Sequence, residues 1–388
     1  MLLDMQRRSV CEGYIAGTQP EFYVSLKTLS TAPSFELIVS LTAQMRAFSS
    51  ILSYSSALLA FCRPTCLAAP HQRRSAGPYD SAPVSTVFQL DHNQTWFENL
   101  VVQRNSSILA TRIDVPELWS IDPATKNGTS SQGTGSLLYK FPNATSLLGI
   151  AEVEKDVFAI VSGNLSLPST IPTPGSYKIW TIDLTGEKPH AKLLAPIPDG
   201  VFLDGLAKFS DDLLLTTDAA KGVIWRLNTT TGESSQVLSH PSMKPADGQP
   251  ILVGVNGLKV QKGYIYYTST TQEVFARFPV DENATPTGPI EVITSGLTFD
   301  DFALADDGTA YLSTNPQNEL LRISPEGKVR LIAGSQVTKT VAGSTAVAFA
   351  NDEQSVLYVS TSGASVEPVL CKTVEPAKIV AVKLRGAS

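Results

Sequence analysis

Six positions recur along the chain at the heads of short apolar strands: Glu98, Gly149, Asp204, Asn256, Asp300 and Thr345. Four of them, Glu98, Asp204, Asn256 and Asp300, offer a side-chain carboxylate or amide oxygen. Hard cations such as Ca²⁺ take oxygen ligands and no sulfur, so a glutamate, an asparagine and an aspartate around one axis could hold one. The pairs Asp204-Gly205 and Asn256-Gly257 are also good turn formers at the start of a strand, which needs no ligand at all. Other chemistry is poorly provided for. The histidines are His71, His92, His190 and His240. The first lies in the leader and the others near strand ends or loops, and all read as surface residues. No nucleophile elbow with a Ser-His-Asp set appears, and no HExxH, P-loop or GxGxxG follows a suitable strand.

The elements that must position these residues are strands. Residues 297–334 read as four in succession, separated by turns at Asp306-Asp307-Gly308, Asn315-Pro316 and Pro325-Glu326-Gly327. The pattern recurs in residues 98–122, 148–184, 203–238, 255–293 and 344–384. The third strand is the clearest echo: ELWSID, KIWTID, VIWRLN, EVFARF, ELLRIS, KIVAVK. Six copies at a period of roughly 44–55 residues, four strands each, predict an all-β six-bladed β-propeller. The last copy lacks a fourth strand. A spare strand at 84–90, VSTVFQL, is expected to supply it, closing the ring and removing exposed edges. Trp119, Trp180 and Trp225 hold the same place in their repeats and read as inter-blade core. The innermost strand of each blade begins near the axis, so its leading residue points into a central pocket. Insertions at 163–177, 239–250 and 363–377 are expected to form loops over one face, where specificity resides.

The 388 residues are 43% apolar and 17% charged, with net charge −6. This is ordinary globular composition with ample length for a large core, and the lack of a long basic run argues against nucleic acid as a partner. Residues 84–388 read as one domain. Residues 1–44 differ in character from the rest of the chain and read as a doubtful extension. Residues 45–69 resemble a signal peptide, too short and Ser-rich for a stable membrane span, and residues 70–83 read as a linker. Sequons at Asn93, Asn105, Asn127, Asn143, Asn164, Asn228 and Asn283 fit N-glycosylation and passage through the secretory pathway, to a secreted, vesicular or vacuolar destination. Cys11, Cys62 and Cys66 fall in the extension or signal region. Cys371 is then left alone, and the mature chain, expected to be a monomer, is expected to carry no disulfide.

The blade heads GVNGL at 254–258 and TFDDFALADDG at 298–308, with the glutamate of WFENL, resemble SMP-30/gluconolactonase/LRE-like propellers. The resemblance covers about residues 90–388. It implies a divalent metal, Ca²⁺ or Zn²⁺, on Glu98, Asn256 and Asp300, with Asp204 near the pocket; Thr345, the lead of the last blade, is expected to line that pocket as well. Where the family carries glycine-proline after the glutamate and glycine after the metal aspartate, this chain has Asn99-Leu100 and Asp301. RIDVPELWSIDP and LLGIAEVEKDVFAIVSGN are similar to a fungal branch of these propellers, the hetero-Diels–Alderases of tropolone–sesquiterpenoid biosynthesis. That branch implies small apolar substrates, a tropolone o-quinone methide and a humulene-type sesquiterpene. It implies no cofactor, and Asp300 or Asp204 as the acid. Three functions stay open: a cofactor-free pericyclase, a metal-dependent lactone or ester hydrolase, and a non-catalytic ligand-binding propeller.

Overall fold

Six four-stranded antiparallel sheets stand around one axis in a computed structural model that describes residues 82–123, 133–167, 170–249, 251–350 and 352–384. The extension at 1–44, the signal sequence at 45–69, all of the linker up to residue 81, and the sequon at Asn127 lie outside these residues. All the strands belong to the compact unit Ala68–Ser388.

The innermost strands of blades 1 to 6 are Phe97–Val102, Ser146–Glu154, Leu203–Lys208, Val255–Gln261, Phe299–Leu304 and Ser344–Phe349. Each is followed outward by its second and third strands, and in blades 1 to 5 by its own fourth. In blade 6 the order is Ser344–Phe349, Val356–Thr361, Lys378–Lys383 and then Val84–Gln89, which pairs antiparallel with the third strand. Successive innermost strands touch all the way round, blade 6 against blade 1 included.

Burial follows distance from the axis. The second strands Ile108–Arg112 and Ala310–Thr314 are buried at every residue, so neither shows a period-two pattern. The outermost strands Thr134–Lys140 and Ser234–Ser239 have no fully buried residue, only half-buried and exposed ones. The apolar residues gather into one large cluster at each of the six seams, from Leu109, Leu118 and Phe158 between blades 1 and 2 to Phe97, Ile108 and Ile379 between blades 6 and 1. Trp119, Trp180 and Trp225 sit in or against three of these clusters, as the repeats lead one to expect.

Every innermost strand slips register against its second strand at its head. The slips fall between Phe97/Asn99, Leu147/Ile150, Leu203/Leu206, Val255/Leu258, Phe299/Phe302 and Ser344/Val347. A bulge of this kind re-aims the residue inside it. Facing the bulge, the second strand carries Thr111, Thr217, Thr268, Ser313 and Ser360 in five blades, and Val161 in blade 2. These hydroxyls strap the blades together. Thr217 accepts from the Gly205 N–H at 2.8 Å and donates to the Asn256 carbonyl of the next blade at 2.5 Å. Thr268 reaches the Asp300 carbonyl at 2.7 Å, Ser313 the Thr345 carbonyl at 2.7 Å, and Thr111 the Leu148 carbonyl at 2.6 Å.

One expectation is corrected. Cys371 is disulfide-bonded, not free; the other three cysteines of the chain lie outside the described residues. The reading of Cys371 as unpaired rested on assigning every other cysteine to a segment lost on maturation.

The straps make a prediction. Thr217→Val preserves shape but leaves the Gly205 N–H and the Asn256 carbonyl without that partner. Each orphaned group costs about 1–3 kcal/mol, so thermal unfolding is expected several degrees lower, with the far-ultraviolet spectrum unchanged. An unaltered Tm would show that the strap carries no load.

Candidate functional site

In an antiparallel meander the head of the first strand, the turn between strands two and three, and the link to the next blade all lie at one end of the sheet. The insertions at 163–177, 239–250 and 363–377 are of these last two kinds. The long loops and the six bulges therefore share one end of the propeller.

The bulges place Glu98, Leu148, Asp204, Asn256, Asp300 and Thr345 in equivalent positions. Five of these are the expected leads. In blade 2 the lead is Leu148, not Gly149, which occupies the second place in the bulge. A Cβ on Gly149 would lie 2.4 Å from the Asp204 carbonyl, so the glycine serves close approach of neighbouring strands. Glu98, Asp204, Asn256 and Asp300 retain only 4–7% exposure. Thr345 is fully buried, and its hydroxyl lies in the seam between blades 6 and 1, 2.7 Å from the Phe97 carbonyl and 2.8 Å from Ser360 Oγ.

The second place in the bulge holds a small residue in four blades (Gly149, Gly205, Gly257, Ala346) and a polar one in the other two, Asn99 and Asp301. These two meet. Asn99 Nδ2 donates to Asp301 Oδ2 at 2.9 Å, and blades 1 and 5 are separated by blade 6, so this bond crosses the axial space. Lys259 Nζ of blade 4 donates to both Asp301 oxygens, at 2.6 and 2.8 Å, and the Phe302 N–H adds a bond of 2.7 Å. Sequence reasoning noted Asn99 and Asp301 only as departures from a family pattern; the signal was that both fall at the same place in the repeat.

Four carboxyls thus crowd one small volume. Glu98 is pushed well above the usual carboxylate range by burial, then by the charges of Asp204 and Asp300, with Trp96 acting in the opposite sense. Asp300 is likewise raised by burial, then by Asp204 and Asp301, while the amides of Asn315 and Asn256 oppose this. Asp204 is pushed up to about 7 by burial and then Asp301, with Lys259 pulling it down. Desolvation and like charges both favour the neutral acid, which is a hydrogen-bond donor.

Buried side-chain atoms without a protein hydrogen-bond partner also occur at this end. They are Glu98 Oε2, Tyr177 OH, Ser269 Oγ, Asn315 Oδ1, Gln317 Oε1 and Ser362 Oγ, and all six belong to the end of the propeller that carries the bulges.

Glu98, Asn256 and Asp300, the expected donor set, lie together and would offer a hard cation two carboxylates and an amide oxygen. Asp300 is engaged by Asn256 and Asn315, and Asn256 Nδ2 also donates to Thr270 Oγ1 at 3.1 Å. Of the histidines, His92, His190 and His240 are exposed, and His71 lies outside the described residues.

No family model matches the chain. A protein of Sarocladium schorii, provisionally named a hetero-Diels–Alderase, is 26% identical over 384 residues, spanning 85% of this chain and 93% of its own length. A protein of a Phoma species with the same provisional name is 23% identical over 299 residues, spanning 69% and 84%. Among solved structures, a luciferin-regenerating enzyme superposes with TM-score 0.57 at 11% identity, covering 79% of this chain and 96% of its own. The calcium-binding protein regucalcin of Agrobacterium tumefaciens strain C58 gives 0.54 at 15% identity, covering 79% and 96%. These likenesses show the fold alone. Together with the two relatives they bear out the resemblance carried by the blade heads, to SMP-30-like propellers of a hetero-Diels–Alderase branch.

The raised acids set a pH dependence. Asp204 holds its proton more tightly folded, near 7, than unfolded, near 3.8. Its contribution to stability is complete below the lower value and is lost as pH rises through the upper one, on the order of a few kcal/mol. The wild-type Tm is expected to fall across that window. Asp204→Asn, which stays neutral, is expected to flatten the fall and to exceed the wild type above it; parallel curves would contradict the assignment.

Proposed function

We propose that this chain is a cofactor-free pericyclase of secondary metabolism, a hetero-Diels–Alderase that couples a tropolone o-quinone methide to a humulene-type sesquiterpene. The relatives' names suggest an enzyme. The observation that carries the finer reading is the cluster of Glu98, Asp204 and Asp300, held toward the neutral acid by burial and by one another's charge.

A hetero-Diels–Alder addition forms one C–C and one C–O bond in a single step, with no proton lost or gained. The enzyme must hold two apolar partners in a reactive pose and place a donor on the heterodiene carbonyl. A neutral Asp300 or Asp204 supplies that donor. Earlier in the sequence, the same acid gives its proton to the leaving hydroxyl of the tropolone alcohol; water departs, and the o-quinone methide forms as the carboxylate recovers a proton from the tropolone hydroxyl. Glu98 and Asn256 frame the pocket, and Asn315 with Asn256 orients Asp300. In this reading Asn99, Asp301 and Lys259 close the axial space, so reactants enter and leave by the end that bears the long loops. Passage through the secretory pathway is part of the proposal, resting on the sequons; Asn93, Asn105, Asn143 and Asn283 are exposed.

The purified protein should be incubated with the tropolone alcohol and humulene, with and without EDTA, and products followed by chiral chromatography and mass spectrometry. One stereoisomer in excess, indifferent to EDTA, is expected. Asp300→Asn is expected to slow turnover about 10²-fold or more if it is the acid, with folding intact. A racemic adduct at the background rate, or a lactonase activity abolished by EDTA, would overturn the proposal in favour of the metal-dependent hydrolase.

A further inference from the structure

On the rim of the propeller, a groove of about 380 Å³ opens between blades 3 and 4. Its apolar walls are Leu238, on the outermost strand Ser234–Ser239 of blade 3, and Pro286, Pro289, Ile290 and Val292, which lead into and along the outermost strand of blade 4. Clefts of this size, apolar with a few placed polar atoms, are what small organic ligands occupy. The polar atoms here belong to His240 and Ser242, which complete the lining. Their side chains meet. Ser242 Oγ lies 2.8 Å from His240 Nδ1 and 2.7 Å from the hydroxyl of Tyr267, a fully buried residue on the second strand of blade 4. The donors follow from the geometry. The Ser242 N–H donates to His240 Nδ1 at 3.2 Å, so Nδ1 carries the lone pair and the ring proton sits on Nε2. The Ser242 hydroxyl then gives its one hydrogen to Nδ1, and Tyr267 donates to Oγ. This is the order of a serine nucleophile facing its base, with the tautomer fixed by a backbone N–H in place of a third side chain. Capping of the turn Pro241–Met243 accounts for the backbone bond to His240, but it calls for neither the serine hydroxyl nor the phenol.

We propose that Ser242 and His240 form a second reactive centre, which hydrolyses carboxylic esters whose apolar acyl chain lies in this groove. His240 Nδ1 takes the hydroxyl proton as Ser242 Oγ bonds to the ester carbonyl carbon. Tyr267, donating to Oγ, stabilises the negative charge that grows there as the proton leaves. When the tetrahedral adduct collapses, the ester C–O bond breaks, the same proton passes to the departing alkoxide, and the acyl group stays on Oγ. A water then gives a proton to Nδ1 and attacks the acyl carbon. Oγ leaves with that proton, which restores the serine and frees the carboxylic acid. His240 is exposed and Ser242 half-buried, so an ester reaches both from solvent. The pair follows the outermost strand of blade 3, whereas Glu98, Asp204 and Asp300 head innermost strands. No axial residue takes part, and the inference stands apart from the proposed cycloaddition.

The full chain should be treated with a fluorophosphonate probe and the labelled peptide mapped by mass spectrometry, with hydrolysis of p-nitrophenyl butyrate followed in parallel. Label on Ser242 and hydrolysis indifferent to EDTA are expected. Ser242→Ala is expected to abolish both. His240→Asn separates the base from the cap, because its amide oxygen can still accept the Ser242 N–H. It is expected to slow labelling and hydrolysis about 10²-fold or more with Tm unchanged, whereas a histidine that only caps the turn would be replaced without loss. Asp300→Asn is expected to keep both activities. A wild type left unlabelled at Ser242, or a His240→Asn variant that labels as fast as the wild type, would overturn the proposal. So would hydrolysis that survives Ser242→Ala and is lost in Asp300→Asn or on adding EDTA, which would put the ester chemistry at the axis.

Discussion

The two-residue bulge at the head of each innermost strand is the constraint on which the rest of the molecule depends. Closing six sheets around one axis brings their first strands so near that Gly149, Gly205 and Gly257 lie against the backbone or side chains of the next blade. The bulge relieves that crowding. It turns Glu98, Asp204, Asn256 and Asp300 inward and, in blades 2 to 4, leaves the glycine after the lead in the tight seam. In four blades a hydroxyl on the second strand then ties the bulge to the next blade. What the protein can do at its axis is decided by the few residue types placed in those bulges.

Placing Glu98, Asp204, Asp300 and Asp301 in three of them forces a choice, because that many carboxylates cannot all be charged in a buried volume. Asp301 has its own cation and donors in Lys259, Asn99 and the Phe302 N–H. The remaining three carry the burden as protons held above their usual range. Held this way, the three acids are placed to donate hydrogen bonds. The packed blades, with a large apolar cluster at every seam, supply the stability against which this electrostatic cost is held.

Much of this was legible in the sequence, for definable reasons. The third strands echo one another because each must fill the same wedge between blades, and Trp119, Trp180 and Trp225 mark it. Glu98, Asp204, Asn256, Asp300 and Thr345 were recognisable as leads because each opens a short apolar strand at the same place in the repeat. Blade 2 misled because Leu147, Leu148, Gly149 and Ile150 give no polarity contrast to show which of them sits at the head of the bulge. The Asn99–Asp301 bond joins residues far apart in sequence and on non-adjacent blades, and no local pattern announces such a pair. The hydroxyl straps were visible only as Ser and Thr in β-rich segments, where they are common for other reasons.

Infrared difference spectroscopy of the carboxyl stretch tests the central claim most directly. At neutral pH the folded protein is predicted to show protonated-carboxyl absorption that is reduced stepwise in Asp204→Asn and Asp300→Asn and disappears as pH is raised. A spectrum with only ionised carboxylates at neutral pH, in a correctly folded sample, would contradict the account, because the axial acids would then have no proton to donate.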